Sequence, residues 1–293
     1  MSWLFYSLLA PLFWAIGNVG DKYVLSKWLK HAMGALMAFG IFGIIAAAII
    51  FGVRGFGNVP LGLVFGCLLS GVLYMFANVY YFRAVQSGEV SRIIPIIYTE
   101  PLFTAAISAV ILGEIFTPLK YLGVVLMVAG AIAISYHKTT GFKFSKGVWF
   151  ALIASILFAL NTVATKYLVD NMDFWMVFAY VRVGTFISLI PAAFIYKSAF
   201  KELISLKPKG MALLALTNTL GFSGILSFTY AATLGFITLT TSLSVAQPFF
   251  VLLFTLALSI FYPNFIKEET GKKIFFQKLF AIVLMFVGVL LIT

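Results

Sequence analysis

Charge is what this chain of 293 residues most lacks. Asp, Glu, Lys and Arg make up 10% of it, hydrophobic residues 62%, and the mean hydropathy is +1.09. A soluble domain of this size could not cover its surface with so few charged groups, so a water-soluble globular fold is excluded. Cysteine is almost absent: with Cys67 alone, neither an internal disulfide nor a thiolate metal cluster can form. Histidine is scarce, and His31 and His137 fall near helix ends without an HExxH spacing, which argues against a zinc site. There is no Gly-x-Ser-x-Gly, no acidic cluster and no pair of aspartates within an apolar run. An intramembrane enzyme is therefore disfavoured, and no cofactor or metal is expected. A cleavable signal peptide is not expected either, because Met1-Ser2-Trp3 runs into an apolar stretch with no basic segment ahead of it.

Long apolar runs are what the chain has instead. A spanning helix needs about 20 apolar residues, and polar punctuation marks off ten such stretches. They lie near 3–20, 33–53, 59–82, 91–112, 117–136, 146–168, 174–196, 210–233, 237–262 and 275–292. The expected fold is all-α: a polytopic membrane protein of ten transmembrane helices, multi-pass in the cell membrane. The net charge of +11 reads as a membrane signal, so no nucleic-acid partner is expected. With ten spans, loops on the side of the termini hold Arg54, Lys120 and Lys166, the opposite side holds sixteen basic residues, and Arg182 lies inside a span. The positive-inside tendency then puts the sixteen in the cytoplasm and both termini outside.

The chain also repeats itself. Residues 13–23, Phe13-Trp14-Ala15-Ile16-Gly17-Asn18 through Asp21-Lys22-Tyr23, align with 157–167, which hold Asn161 and Lys166-Tyr167, at an offset of 144. Tyr81, Ala84, Gly88, Ser91 and Glu100-Pro101 align with Phe228, Ala231, Gly235, Thr238 and Gln247-Pro248 at 147. Residues 125–130 align with 283–288 at 158, the growth matching an extra loop around 263–269. Two units result, 1–138 and 146–293. Each holds five spans, an odd number, so the second copy enters the bilayer from the opposite face. Inverted repeats of this kind recur in secondary transporters, with the site near the midplane between the halves.

The ordered set Trp14…Asn18…Lys22, Ala84…Gly88…Ser91…Pro95…Glu100-Pro101 and Leu112-Gly113-Glu114…Thr117 resembles the drug/metabolite transporter superfamily, EamA type. The resemblance covers nearly the whole chain. It implies a ten-helix carrier with helices lining a central cavity, and cytoplasmic termini, against the charge count. One departure is the end of the ninth span, where Ile260-Phe261-Tyr262-Pro263 replaces a Gly-Glu turn.

Candidate site residues follow from polarity at mid-membrane depth. A charge there costs roughly 2.5 to 3.5 kcal/mol on insertion scales, and Glu100 sits within the run 93–112. As a buried acid it could exchange protons and couple a proton gradient to substrate movement; a static ion pair, or a bond to the backbone broken near Pro101, is the structural alternative. Its repeat mate Gln247 cannot titrate. Arg182 could neutralise Glu100 or hold a carboxylate or phosphate of a substrate. Asn18, Asn161, Asn78 and Asn218 could join helices or face a ligand. Trp14, Tyr74, Tyr81, Phe222, Phe228 and Tyr230 are the aromatics expected nearest the cavity. Thr240, Ser244 and Gln247 form a polar stripe expected to look inward. Lys22 and Lys166 are snorkelling anchors or gates, Arg83, Glu89 and Arg92 a surface cluster, and Glu114 a structural corner. Gly123, Gly130 and Gly288 would brace the scaffold or pair in a homodimer.

The sequence thus points to a secondary carrier for a small polar or amphipathic metabolite, coupled to protons or working by exchange. A lipid flippase, or less favourably a passive channel, is the alternative.

Overall fold

A computed structural model describes residues 2–29, 31–87, 90–135, 146–261 and 272–293. Gly88, Glu89, His137 and the loop at 263–269 lie outside the described residues, as do the side chains of Lys22, Ser91 and Arg92. Among the described residues every regular element is an α-helix. They are α1 (Ser2–Lys27), α2 (Ala32–Arg54), α3 (Leu61–Ser87), α4 (Val90–Ile97), α5 (Glu100–Ile111), α6 (Pro118–Ser135) and α7 (Lys146–Asn171) in the first part. Then come α8 (Phe174–Ile195), α9 (Lys197–Ile204), α10 (Pro208–Leu234), α11 (Ile237–Ser244), α12 (Gln247–Phe261) and α13 (Lys272–Ile292). Eight stretches are long and apolar enough to cross a membrane, with Phe276–Ile292 a shorter apolar helix. Val110, Leu61 and Ile115 are 86%, 85% and 79% exposed, an outer surface suited to lipid rather than water. The chain is a multi-pass integral membrane protein.

Two expected helices, 91–112 and 237–262, are each broken, and the breaks are alike. Helix α4 stops at Ile97 and α5 starts at Glu100; α11 stops at Ser244 and α12 starts at Gln247. Proline explains both. A proline ring clashes with the carbonyl four residues earlier and offers it no N–H. Those carbonyls belong to Ile97, four before Pro101, and to Ser244, four before Pro248, and these are the last residues of α4 and α11. Near the first break, the Thr99 hydroxyl donates to Ile96 O at 2.6 Å. At the second, Ser244 donates back to Thr241 O at 2.7 Å. The sequence raised a broken backbone near Pro101 but not the matching interruption before Pro248, nor the short helix α9.

Packing pairs the two parts of the chain crosswise. Helix α1 lies along α10 and α3 along α7, while α6 lies along α13. Helix α8 packs on both α2 and α3. The α3–α8 contact brings backbone to backbone: a Cβ on Gly71 would strike Val181 O, and one on Gly184 would strike Leu68 O. In lipid, where apolar burial between helices gains little, small residues that admit such approach drive association. The same device joins α6 to α13, where a Cβ on Gly123 would sit 2.9 Å from Gly288 O. Gly123, Gly130 and Gly288 are thus spent on contacts within the chain: they brace it.

Polar ties hold the helix ends. Glu114, 5% exposed, accepts from Ile237 N at 2.7 Å, Thr238 N at 3.0 Å and Thr238 Oγ1 at 2.8 Å. A carboxylate on the first N–H groups of α11 satisfies donors that the helix cannot, and suits the positive end of its dipole. Ser108 Oγ lies 2.6 Å from Thr238 Oγ1 beside it. Arg54 meets Asp173 at 3.6 Å, and Asp173 caps α8 through the N–H groups of Trp175 and Met176. His31 Nδ1 lies 3.0 Å from Glu202, joining the α1–α2 loop to α9.

Candidate functional site

Both breaks open onto one cavity of about 430 Å³. Tyr98 and Glu100 reach it from the first break, and Ser244, Val245 and Gln247 from the second. A broken helix at membrane depth leaves backbone groups unpaired, which is tolerated where they face protein or a water-filled space. The rest of the wall is built from the crosswise pairs. Helix α1 supplies Trp14, Asn18 and Asp21; α3 supplies Tyr74, Asn78 and Tyr81. Helix α7 gives Phe158, Asn161 and Thr162, α8 gives Phe178 and Arg182, and α10 gives Thr217 and Phe228.

Glu100 opens α5 and accepts from the Thr162 hydroxyl of α7 at 3.0 Å. The expected neutralisation by Arg182 is not what forms. Arg182, 3% exposed, makes no ion pair, and its Nε and Nη1 have no hydrogen-bond partner. Rings surround it instead: its Cζ lies 5.3 Å from the Phe39 centroid, 5.4 Å from Phe178, 5.5 Å from Tyr74 and 5.8 Å from Phe222. The two charged groups face the same space without joining, because each is held by its own helix.

Of the candidate site residues, Glu100, Arg182, Gln247, Asn18, Asn161, Asn78, Trp14, Tyr74, Tyr81, Phe228 and Ser244 line the cavity. Asn218 and Phe222 do not. Asn218 is buried and donates to Leu214 O of its own helix at 2.7 Å, so its amide serves α10. Phe222 stands behind the wall, its ring tilted against Phe39 at 4.7 Å and facing Arg182. Tyr230 is 40% exposed and packs on Tyr6 and Phe174, outside the cavity. Thr240 is fully buried and off the wall, so the polar stripe of α11 is only partly inward. Asn161 does two things: it lines the cavity and ties α7 to α3, donating to Ser70 O and Oγ at 2.8 Å each. Trp14 Nε1 donates to Gly221 O at 3.2 Å, holding α1 to α10 on the opposite wall. Lys166 pairs with Asp170 at 2.7 Å within α7.

Sequence reasoning passed over Asp21, Thr162 and Phe178. Asp21 was visible beside the repeated lysine at Lys22, and Thr162 follows Asn161 in the same repeat; each matched position invited a look at its neighbour. Thr217 stands within hydrogen-bonding reach of the Asp21 carboxyl. Phe178 offered no signal, since nothing along α8 sets one phenylalanine apart. Among the described residues no group of three or more His, Cys, Asp or Glu side chains could hold a metal ion.

Broken helices that open onto a polar chamber at membrane depth are a build that recurs in secondary transporters. Residues 1–136, just under half of the chain, match the EamA-like transporter family. An uncharacterized protein of Methanocaldococcus jannaschii is 26% identical over 131 residues, which are 44% of this chain and 92% of that protein. A crystal structure at 18% identity superposes with a TM-score of 0.75, covering all of this chain and 96% of the other. At that identity the likeness shows the fold.

Proposed function

We propose that the protein is a secondary carrier that moves a small polar or amphipathic metabolite by alternating access. It would have ten crossings arranged as two inverted five-helix repeats. The observation that carries this is the pair of matched breaks, Ile97/Glu100 and Ser244/Gln247, both facing one chamber. Crosswise packing of α1 on α10 and of α3 on α7 is what an exchange of partners between two such halves would give. The archaeal relative supports a duplication, since one protein about half this length accounts for 92% of itself within this chain.

The two ends of the chamber are not alike. Where α3 packs on α8 and Glu114 holds α11, the walls are drawn together. The counterpart contact of α10 on α2 is far slighter. The repeats thus hold one closed end and one looser end, and the transport step exchanges them. Glu100 carries the coupling proton, taken up or released as the chamber turns from one face to the other.

Sealed vesicles holding the purified protein test this. Unlabelled solute inside should accelerate entry of the same labelled solute, and a proton gradient should drive its accumulation. A passive channel gives flux without that acceleration, and a flippase moves lipid between leaflets while solute stays put; either result refutes the carrier.

A further inference from the structure

The guanidinium of Arg182 is the one charged group on the chamber wall, among the described residues, that the protein leaves without a hydrogen-bond partner for its buried Nε and Nη1. Glu100 has Thr162, and Asp21 has Thr217 within reach. Arg182 has four aromatic rings, which attract a cation but accept no ordinary hydrogen bond from its N–H groups. Taking an ion out of water costs more than that attraction returns. Rings alone therefore do not account for a bare arginine at 3% exposure. Its donors await an oxygen that the chain does not supply.

The fold has gone to some length to keep it so. Gly43 lies against the stem, where a Cβ would sit 3.3 Å from Arg182 Cδ, so α2 leaves room for the side chain to lie flat. Tyr74 turns its ring to the guanidinium, 5.5 Å from Cζ to the centroid, and among the described residues no acid pairs with it.

We propose that Arg182 is the anion receptor of the chamber and that the cargo is a small organic carboxylate. This rests on the carrier reading and gives it a substrate class. The planar guanidinium matches a carboxylate in two parallel N–H···O bonds. Phe39, Tyr74, Phe178 and Phe222 exclude water from that pair, which strengthens it. The remainder of the cargo would reach toward Glu100 and Asn161, where a hydroxyl or amine hydrogen finds an acceptor. A neutral amide of the same shape leaves the cation unpaired and is rejected.

Binding to the purified wild-type protein in detergent tests this without any transport step. A panel of small carboxylates, each with its own primary amide, its phosphonate and its amine analogue, is read by thermal shift and calorimetry. The expected result is stabilisation by carboxylates, with the matching amides roughly tenfold or more weaker, the scale of a hydrogen bond to a charged group. Tighter binding of the phosphonates would move the cargo to phosphate-like anions and overturn the carboxylate assignment. Stabilisation by amides or amines alone, or by no carboxylate, overturns the receptor. Arg182→Lys keeps the charge and loses the fork. It should weaken carboxylates about tenfold and leave amide binding and the ligand-free melting temperature in place; equal loss of all three marks a structural arginine instead. If carboxylates bind but no solute shows trans-acceleration, the receptor stands and the carrier falls. If an amine is exchanged equally well by wild type and Arg182→Lys, the carrier stands and the receptor falls.

Discussion

At the scale of single residues, the chamber separates groups that work on the cargo from groups that hold helices. Glu100→Gln keeps the shape and the Thr162 contact but removes the titrating proton. Uptake driven by a proton gradient should then be lost while solute exchange persists; an unaltered gradient dependence shows that the proton travels elsewhere. The asparagines divide more finely. Asn161→Ala loses both bonds to Ser70 and should lower stability by about 1 kcal/mol, in line with interhelical hydrogen bonds in membranes. It should also change solute affinity. Asn218→Ala loses only a bond within α10 and should leave affinity within twofold of wild type. Measured melting temperatures and exchange constants for the two variants check the contrast. Polar residues at mid-membrane depth were legible in the sequence because lipid penalises them so heavily. What the sequence could not supply was direction around the helix. Asn78 and Asn218 occupy corresponding spans and each donates to the carbonyl four residues earlier, yet only Asn78 lines the chamber, a difference of position around the helix that composition does not encode.

At the scale of elements, the two broken helices and the cap on α11 matter most. Pro101 and Pro248 announced themselves, and their effect follows from the missing N–H and the ring clash. The run of apolar residues on both sides hid the interruption, because hydropathy is blind to whether a helix is continuous. Glu114 was visible as the end of a span but not as the cap of a helix more than 120 residues away. Glu114→Gln keeps the size and removes the charge that meets the α11 terminus. The expected cost is about 2 kcal/mol, as for a hydrogen bond to a charged group with a buried donor left behind. Thermal unfolding in detergent would show it, and an unchanged midpoint would mean that the cap is idle. The opposite repeat has Phe261 at the matching offset of 147, with no carboxylate to give. The two ends of the chamber should therefore differ in how firmly they close.

At the scale of the whole molecule, the account rests on one chamber whose two ends open in turn. The expectation of that architecture comes from internal repetition, since three aligned segments in the same order are hard to obtain from apolar composition alone. The relative tightness of the two ends was not readable, because it depends on how α3 meets α8 through Gly71 and Gly184, a contact between distant parts of the chain. The most direct measurement uses spin labels on the two long helices that face each other across the chamber, in a protein with Cys67 replaced by serine. One pair, at Leu61 and Leu234, marks one end of α3 and α10; the other, at Gln86 and Lys209, marks the opposite end. Addition of a transported solute should lengthen the Leu61–Leu234 distance while the Gln86–Lys209 distance shortens. Two distances that stay fixed, or that grow and shrink together, would contradict alternating access.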